Sequence, residues 1–155
     1  MVKRIILIIA IAMIAFSGVA FAADTNTVTV SANIVGTCKF NTATTILAFG
    51  GLDQTQTTDV PATALTTFWC TKNTNYTISD DDGLHESGIN LNNMENDGTS
   101  GEFIKYSFSY SPTSGAGGGK TSPTTLNMNG LINNADYVDA AAGTYHDTIV
   151  ITINN

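Results

Sequence analysis

The sequence has few positive charges, few cysteines and few residues that favour helices. Its 155 residues include 6 Lys and Arg against 13 Asp and Glu, with 2 Cys and 3 Pro. The formal net charge of −7 argues against nucleic acid as a partner, because a phosphate backbone is bound through Lys and Arg. After residue 22, Glu, Gln, Lys and Arg number only 9 together, whereas Thr and Asn number 24 and 15. Long helices use the first group, and strands and turns use the second, so a helical bundle is excluded.

Residues 1–22 have the layout of a secretory signal peptide. The basic pair Lys3-Arg4 precedes an unbroken apolar run, Ile5–Phe16, and the small residues of Ala20-Phe21-Ala22 suit a cut before Ala23. The apolar run is shorter than the roughly 20 residues of a spanning helix. We therefore expect export and cleavage, with no membrane span in the mature chain.

Export determines how the two cysteines are interpreted. In an oxidising compartment two cysteines permit only one pairing, Cys38 with Cys70. In the chain-entropy model, a disulfide closing a loop of that length stabilises the folded state by about 3–4 kcal/mol, because it restricts the unfolded chain. A metal site would need further Cys or His ligands nearby, whereas His85 and His146 are distant from both cysteines in sequence. The sequence predicts a structural disulfide and no metal site.

Alternation with a period of two predicts short strands along the mature chain. In Thr27–Val35, the residues Val28, Val30, Ala32 and Ile34 share one face. In the last candidate, 144–153, Ile149, Ile151 and Ile153 share a face with Tyr145. The other candidates are 45–49, 65–71, 76–79, 89–91, 103–110 and, more weakly, 126–128. Turn-forming stretches separate these strands, which predicts a single all-β domain with the architecture of a β-sandwich.

No motif predicts catalysis or a cofactor. The stretch 114–121 is one residue from the phosphate-loop pattern, but no helix pattern follows it, so a hairpin loop is the better interpretation. The acidic stretches 80–82 and 95–97 could offer oxygen ligands to Ca²⁺. Counted from Asn93 as position one, however, the twelfth position of a calcium loop, which needs a bidentate Glu, is Ile104. Neither Gly-x-Ser-x-Gly nor His-Glu-x-x-His occurs, so the sequence does not predict an enzyme.

The alternating segment Thr27–Val35 leaves two interpretations open. It could be the first strand of its own sandwich, or it could add as a strand to a neighbouring molecule. In the second case, main-chain hydrogen bonds would form along an open sheet edge while alternate side chains fill pockets. Periodicity does not distinguish the two.

Several landmarks resemble the spore coat protein U family, which includes the subunits of archaic chaperone–usher pili. They are Cys38, Phe49-Gly50, Cys70-Thr71, and the ending 143–148 followed by 149–153. The resemblance implies an incomplete immunoglobulin-like β-sandwich with an N-terminal donor strand. A periplasmic chaperone would first fill the open groove, and the N-terminal strand of the next subunit would replace it at the outer-membrane usher.

The resemblance also implies roles for particular residues. The donor segment would be 23–35, with Val28, Val30, Ala32 and Ile34 as donor side chains, and the sandwich domain would be 36–155. The C-terminal strand would face the groove and the chaperone through Ile149, Ile151 and Ile153, and Cys38–Cys70 would brace the sandwich. The implied function is a structural subunit of a surface pilus that supports adhesion and biofilm formation, with neighbouring copies, chaperone and usher as partners. The alternatives are a spore or cyst coat protein of the same family and a self-contained secreted carbohydrate-binding sandwich.

Overall fold

The computed structural model describes residues 22–88 and 91–155. The chain divides into two units, 1–33 and 34–155. Within the first unit, the described residues 22–33 form neither strand nor helix, and all of them are exposed. The predicted signal peptide, apart from its last residue, lies outside the described residues.

The second unit contains two antiparallel sheets and one short helix, α1 (Asn134–Tyr137). The larger sheet has six strands in the order β1-β2-β7-β5-β4-β8, and the smaller has three in the order β6-β3-β9. The strands are β1 (Cys38–Phe40), β2 (Val60–Cys70), β3 (Asn75–Asp80), β4 (Leu91–Asn96), β5 (Phe103–Ser111), β6 (Ser114–Ala116), β7 (Thr124–Ile132), β8 (Tyr145–His146) and β9 (Ile151–Asn154). This arrangement confirms the all-β, immunoglobulin-like sandwich.

Alternating burial along the long strands builds the core between the sheets. β2 pairs with β7 from Val60 opposite Ile132 to Phe68 opposite Thr124. In β5 the buried side chains are Ile104, Tyr106 and Phe108. One core cluster contains these three residues with Met128, Ile132 and Tyr137, and a second contains Phe68, Cys70, Tyr76, Ile78 and Leu126.

The disulfide between Cys38 and Cys70 is present, as predicted. The two cysteines lie directly opposite each other in the β1–β2 ladder. The bond therefore fastens the first strand of the sandwich to the longest one.

Four predicted strands lie largely within longer strands of the structure: 65–71 in β2, 76–79 in β3, 103–110 in β5 and 126–128 in β7. The candidate 89–91 overlaps the described residues only at its last position, where β4 begins.

The remainder of β4 was not predicted because its core contacts are polar. Asn92 and Asn93 are buried, and their amides donate to the backbone oxygens of Asp82 and His85. These hydrogen bonds satisfy the amides inside the fold, so the strand needs no apolar alternation.

Residues 27–35 form no strand within this chain, and their role as a strand donated to a neighbour stays a prediction. Two other predicted strands are wrong as continuous strands. Residues 45–49 form no strand. The candidate 144–153 is two strands, because β8 pairs with β4 in the large sheet and β9 pairs with β3 in the small one. The chain crosses between the sheets at 147–150.

The glycine-rich stretch predicted as a hairpin loop contains the short strand β6, which pairs with β3. A Cβ at Gly117 would collide with the backbone oxygen of Thr71, and one at Gly115 would lie 2.6 Å from the Tyr76 hydroxyl. The glycines therefore permit close packing against neighbouring strands.

Candidate binding groove

The two sheets are unequal, with six strands in the large one and three in the small one. Within residues 22–88 and 91–155, β9 is an edge strand that pairs with β3 alone. Beyond its other edge, a groove of about 680 Å³ opens between the segments 42–49 and 147–151. The groove lies where a further strand would complete the small sheet.

The inner face of the large sheet forms the floor of this groove. Its floor residues are Thr66, Met94, Tyr106, Phe108 and Met128. One wall contains Phe40, Leu47 and Phe49, and the other contains Ile149, Val150 and Ile151. The lining is thus mainly apolar, which suits the side chains of an inserted strand.

Gly130 of β7 allows the first wall to lie close to the sheet. A Cβ at this buried position would be 2.7 Å from Cζ of Phe49 and 2.9 Å from Cδ2 of Leu47. Phe49 also packs edge-on against Tyr106, with ring centroids 5.8 Å apart. The glycine therefore creates the space in which these two wall side chains pack on the floor.

Asp147 anchors the start of the second wall. Its carboxylate accepts hydrogen bonds from the Tyr106 hydroxyl at 2.5 Å and from the backbone N–H groups of Leu84 at 3.0 Å and Thr148 at 2.8 Å. Burial, together with the neighbouring carboxylate, raises the pKa of Tyr106 well above its ordinary value. The floor and the second wall are therefore linked through one charge-assisted hydrogen bond.

Asp81 holds the next part of the same wall. The backbone N–H of Val150 donates to its carboxylate at 2.8 Å, and this bond lowers the pKa of Asp81 below its ordinary value. The N–H of Val150 thus points toward the β3 side. Because successive peptide groups of an extended chain alternate in direction, we infer that Ile151 presents its backbone groups to the free edge.

Both walls carry main-chain groups that a strand could pair. Within the described parts of the chain, no backbone–backbone hydrogen bond involves 42–52 or 147–150. Unpaired edges next to an apolar groove are a template for strand addition. The prediction of a strand at 45–49 is wrong because no backbone hydrogen bonds among the described residues pair this segment with a neighbour.

A second cavity of about 990 Å³ continues from the groove. It shares Leu47, Phe49, Met94 and Tyr145 with the groove and extends between 50–55 and 140–144. Gly143 packs so closely on Asn96 that a Cβ there would collide with the amide. Part of the C-terminal landmark therefore shapes this end of the site.

The predicted site residues occupy different places. Ile149 and Ile151 line the groove, whereas Ile153 packs beyond it against the cluster around Phe68. Val28, Val30 and Ile34 are 75%, 90% and 82% exposed, and Ala32 is exposed as well. Their role as donor side chains stays a prediction.

Sequence reasoning missed the first wall, Gly130 and the role of Asp147. For Phe49 and Asp147 the signal was their position within the family-like landmarks at 49–50 and 143–148. A glycine at a core position of a strand also signals close approach by another segment.

The charged groups near this end form surface pairs. His146 lies 2.9 Å from Asp97, and His85 lies 3.2 Å from Glu95. Across residues 22–88 and 91–155, no group of three or more His, Cys, Asp or Glu side chains is placed to hold a metal ion. In the same residues, no helix is both long and apolar enough to cross a membrane.

The model of the Spore Coat Protein U domain matches residues 24–152. The chain belongs to this family. The match begins within the exposed N-terminal segment and ends in β9, so it includes both the predicted donor residues and the groove. Membership in the family agrees with the resemblance carried by the cysteines and the C-terminal landmark.

Among solved structures, this chain is similar to a chain of the CsuC-CsuE chaperone–tip adhesion subunit pre-assembly complex, which comes from the archaic chaperone–usher Csu pili of Acinetobacter baumannii. The TM-score is 0.51 at 19% identity, which shows similarity of fold. The match covers 79% of this chain and 40% of that one, so the chain spans well under half of its length. No curated protein sequence matches.

Proposed function

We propose that this spore coat U protein is a structural subunit of a surface fibre of the archaic chaperone–usher type. Its groove receives the N-terminal segment of a neighbouring copy or related subunit. Val28, Val30, Ala32 and Ile34 supply the inserted side chains.

The single observation that supports this most is the open apolar groove beside the free edge of β9. Among the described residues β9 has no strand on its second side, and the groove beside it is lined by Tyr106, Phe108 and Met128. The same chain carries an exposed segment with a period of two. An alternating strand placed against β9 would satisfy edge hydrogen bonds and bury its apolar face in one step.

This arrangement produces a fibre. The donor and the groove are different surfaces, so the contact is head-to-tail and continues without closing. Before assembly the groove needs another cover, which is the role we assign to a periplasmic chaperone, with an outer-membrane usher as the site of exchange. The proposed location is the cell surface after export through the periplasm, and adhesion and biofilm formation are the proposed uses.

A structural role also agrees with the absence of catalytic motifs from the sequence. The hydroxyl–carboxylate pair in the groove, Tyr106 with Asp147, links the floor to the second wall, and burial raises the pKa of the phenol so that it stays protonated. We therefore propose that the protein is not an enzyme.

The test compares the mature chain from Ala23 with a version that starts at Gly36. Each is produced with and without the periplasmic chaperone and analysed by gel filtration and by unheated gel electrophoresis in detergent. We expect the longer chain to form detergent-resistant ladders. The shorter chain should be soluble only in complex with the chaperone, because it has a groove but no donor.

A cooperatively folding monomer of the longer chain without chaperone would contradict the proposal. That result would instead favour a self-contained secreted binding domain. Ladders formed equally by both chains would place the polymer contact somewhere other than 23–35.

A further inference from the structure

The charges of the sandwich are divided between its two ends. At one end, the segments 36–40, 71–74 and 117–123 come together: Asn73 donates to the oxygen of Gly117, and Thr37 donates to Thr71. These three segments carry Lys39, Lys72 and Lys120, and they contain no Asp or Glu. We call this the lysine end.

The opposite end carries the carboxylates. The segments 53–59, 80–86, 95–102 and 136–147 lie there and hold 12 of the 13 Asp and Glu residues of the sequence. Hydrogen bonds join these segments, including Asp97 to the oxygen of Thr144 and Gln54 to the oxygen of Ala140. We call this the acidic end.

The separation of the two ends follows from the strands between them. β5 runs from Phe103 at the acidic end to Ser111 at the lysine end, nine residues or about 30 Å. This distance is several times the Debye length of about 8 Å at physiological salt. Each end therefore presents its own charge to an approaching molecule.

The donor segment joins the sandwich at the lysine end. Gly36 accepts a hydrogen bond from the side chain of Asn155, directly after β9, and packs against Thr74. A strand inserted antiparallel to β9 would run from the lysine end of the receiving subunit toward its acidic end. The body of the donor subunit, attached at Gly36, would then lie with its lysine end against the acidic end of its neighbour.

We propose that successive subunits make a second, electrostatic contact of this kind, between the lysine end of one copy and the acidic end of the next. The proposal rests on the proposed function, since strand insertion brings the two ends together. Parallel insertion would oppose two lysine ends, so the charge division also selects the antiparallel direction. Charge complementarity of this type speeds association and fixes orientation.

The charge-reversal variant replaces Lys39, Lys72 and Lys120 with Glu in the full mature chain. The matched control is Lys105→Glu, which alters the exposed face of β5 away from the lysine end. A complementary variant carries Glu102→Lys and Asp139→Lys. Both of these residues are exposed, and neither carboxylate has a hydrogen-bond or ion-pair partner among the described residues.

Fibres of each variant are assembled at low and high salt, and strand insertion is measured by detergent-resistant ladders. A zero-length carbodiimide cross-linker followed by mass spectrometry detects Lys–carboxylate pairs between copies. In wild type and Lys105→Glu we expect cross-links from the lysine end to the acidic end, and assembly about tenfold faster at low salt than at high salt. The triple variant should lose both effects, and the variant with Glu102→Lys and Asp139→Lys should weaken them from the acidic end.

The outcomes separate this contact from strand insertion. Ladders without lysine-to-acid cross-links, or with the same rate in the triple variant, would overturn the electrostatic contact while leaving the proposed function intact. Absence of ladders from the wild type would overturn the proposed function itself. A third outcome is that a dextran sulfate column retains the wild type but not the triple variant, while no cross-links form between subunits. That result would assign the lysine end to an anionic partner and overturn the proposal.

Discussion

Replacing Val30 with Asp probes the groove from the donor side. The Val30 side chain is 90% exposed within its own chain, so full insertion would bury nearly all of it. Burial of a valine contributes about 1.5–3 kcal/mol, and an ionised carboxylate in the same place costs several kcal/mol. Together these terms predict a loss of at least about 4 kcal/mol, or roughly a thousandfold in affinity.

Thr29→Asp is the matched control, because it adds the same charge on the other face of the same segment. Detergent-resistant ladders should disappear for Val30→Asp and persist for Thr29→Asp, while both variants still bind the chaperone. Equal polymerisation of the two variants, or equal loss, would refute the alternating insertion. Failure of Val30→Asp to fold in the chaperone complex would instead place the segment in its own core.

Three further predictions concern the groove itself. Gly130→Val should push the first wall off the sheet, destabilise the subunit by about 1–3 kcal/mol and slow polymerisation. The control Asn129→Val, on the outer face of β7, should do neither. Thermal melting of the chaperone complexes measures the loss of stability. Tyr106→Phe should lower fibre stability by about 1.5–3 kcal/mol near neutral pH. Because the folded pKa of Tyr106 is raised, its contribution is present below pH 10 and declines above it, so the variant's alkaline melting curve should be flatter. The pKa of Asp81 is lowered in the folded protein, so the stability from its hydrogen bond with Val150 is present above the ordinary pKa of 3.8 and is lost as the pH falls below it. Asp81→Asn should therefore make stability less sensitive to acid. Thermal melting between pH 2 and pH 6 measures this.

The sequence predicts those elements whose burial alternates between apolar and polar residues. β5 is the clearest case, because Ile104, Tyr106 and Phe108 face the core while their neighbours face solvent. The disulfide was also predictable, since two cysteines in an exported chain have one pairing.

The sequence does not predict elements whose form depends on a neighbour. β4 buries Asn92 and Asn93 against loop carbonyls, and that compensation is visible only once the loops are placed. The segment 45–49 has a strand-like pattern but no ladder, because the position beside it is the open groove. β8 and β9 look like one strand in the sequence because one alternating pattern runs through both. Their pairing in different sheets depends on neighbours that the pattern does not show.

The sequence predicts the second wall of the groove but not the first. Ile149 and Ile151 follow from alternation near the C-terminus, and both line the groove. The first wall and its glycine were not predictable, because the approach of Leu47 and Phe49 to Gly130 joins positions about eighty residues apart.

The most direct test of the account is photo-cross-linking from position 30 in fibres of mixed isotopic composition. Chains grown with ¹⁴N and ¹⁵N are combined before assembly, with a photoreactive amino acid replacing Val30, and cross-linked peptides are identified by mass spectrometry. The account predicts cross-links to 42–49 and 147–151 that pair light with heavy chains. Cross-links confined to peptides of a single isotopic type would show that the segment completes its own sandwich and would contradict assembly by donor-strand insertion.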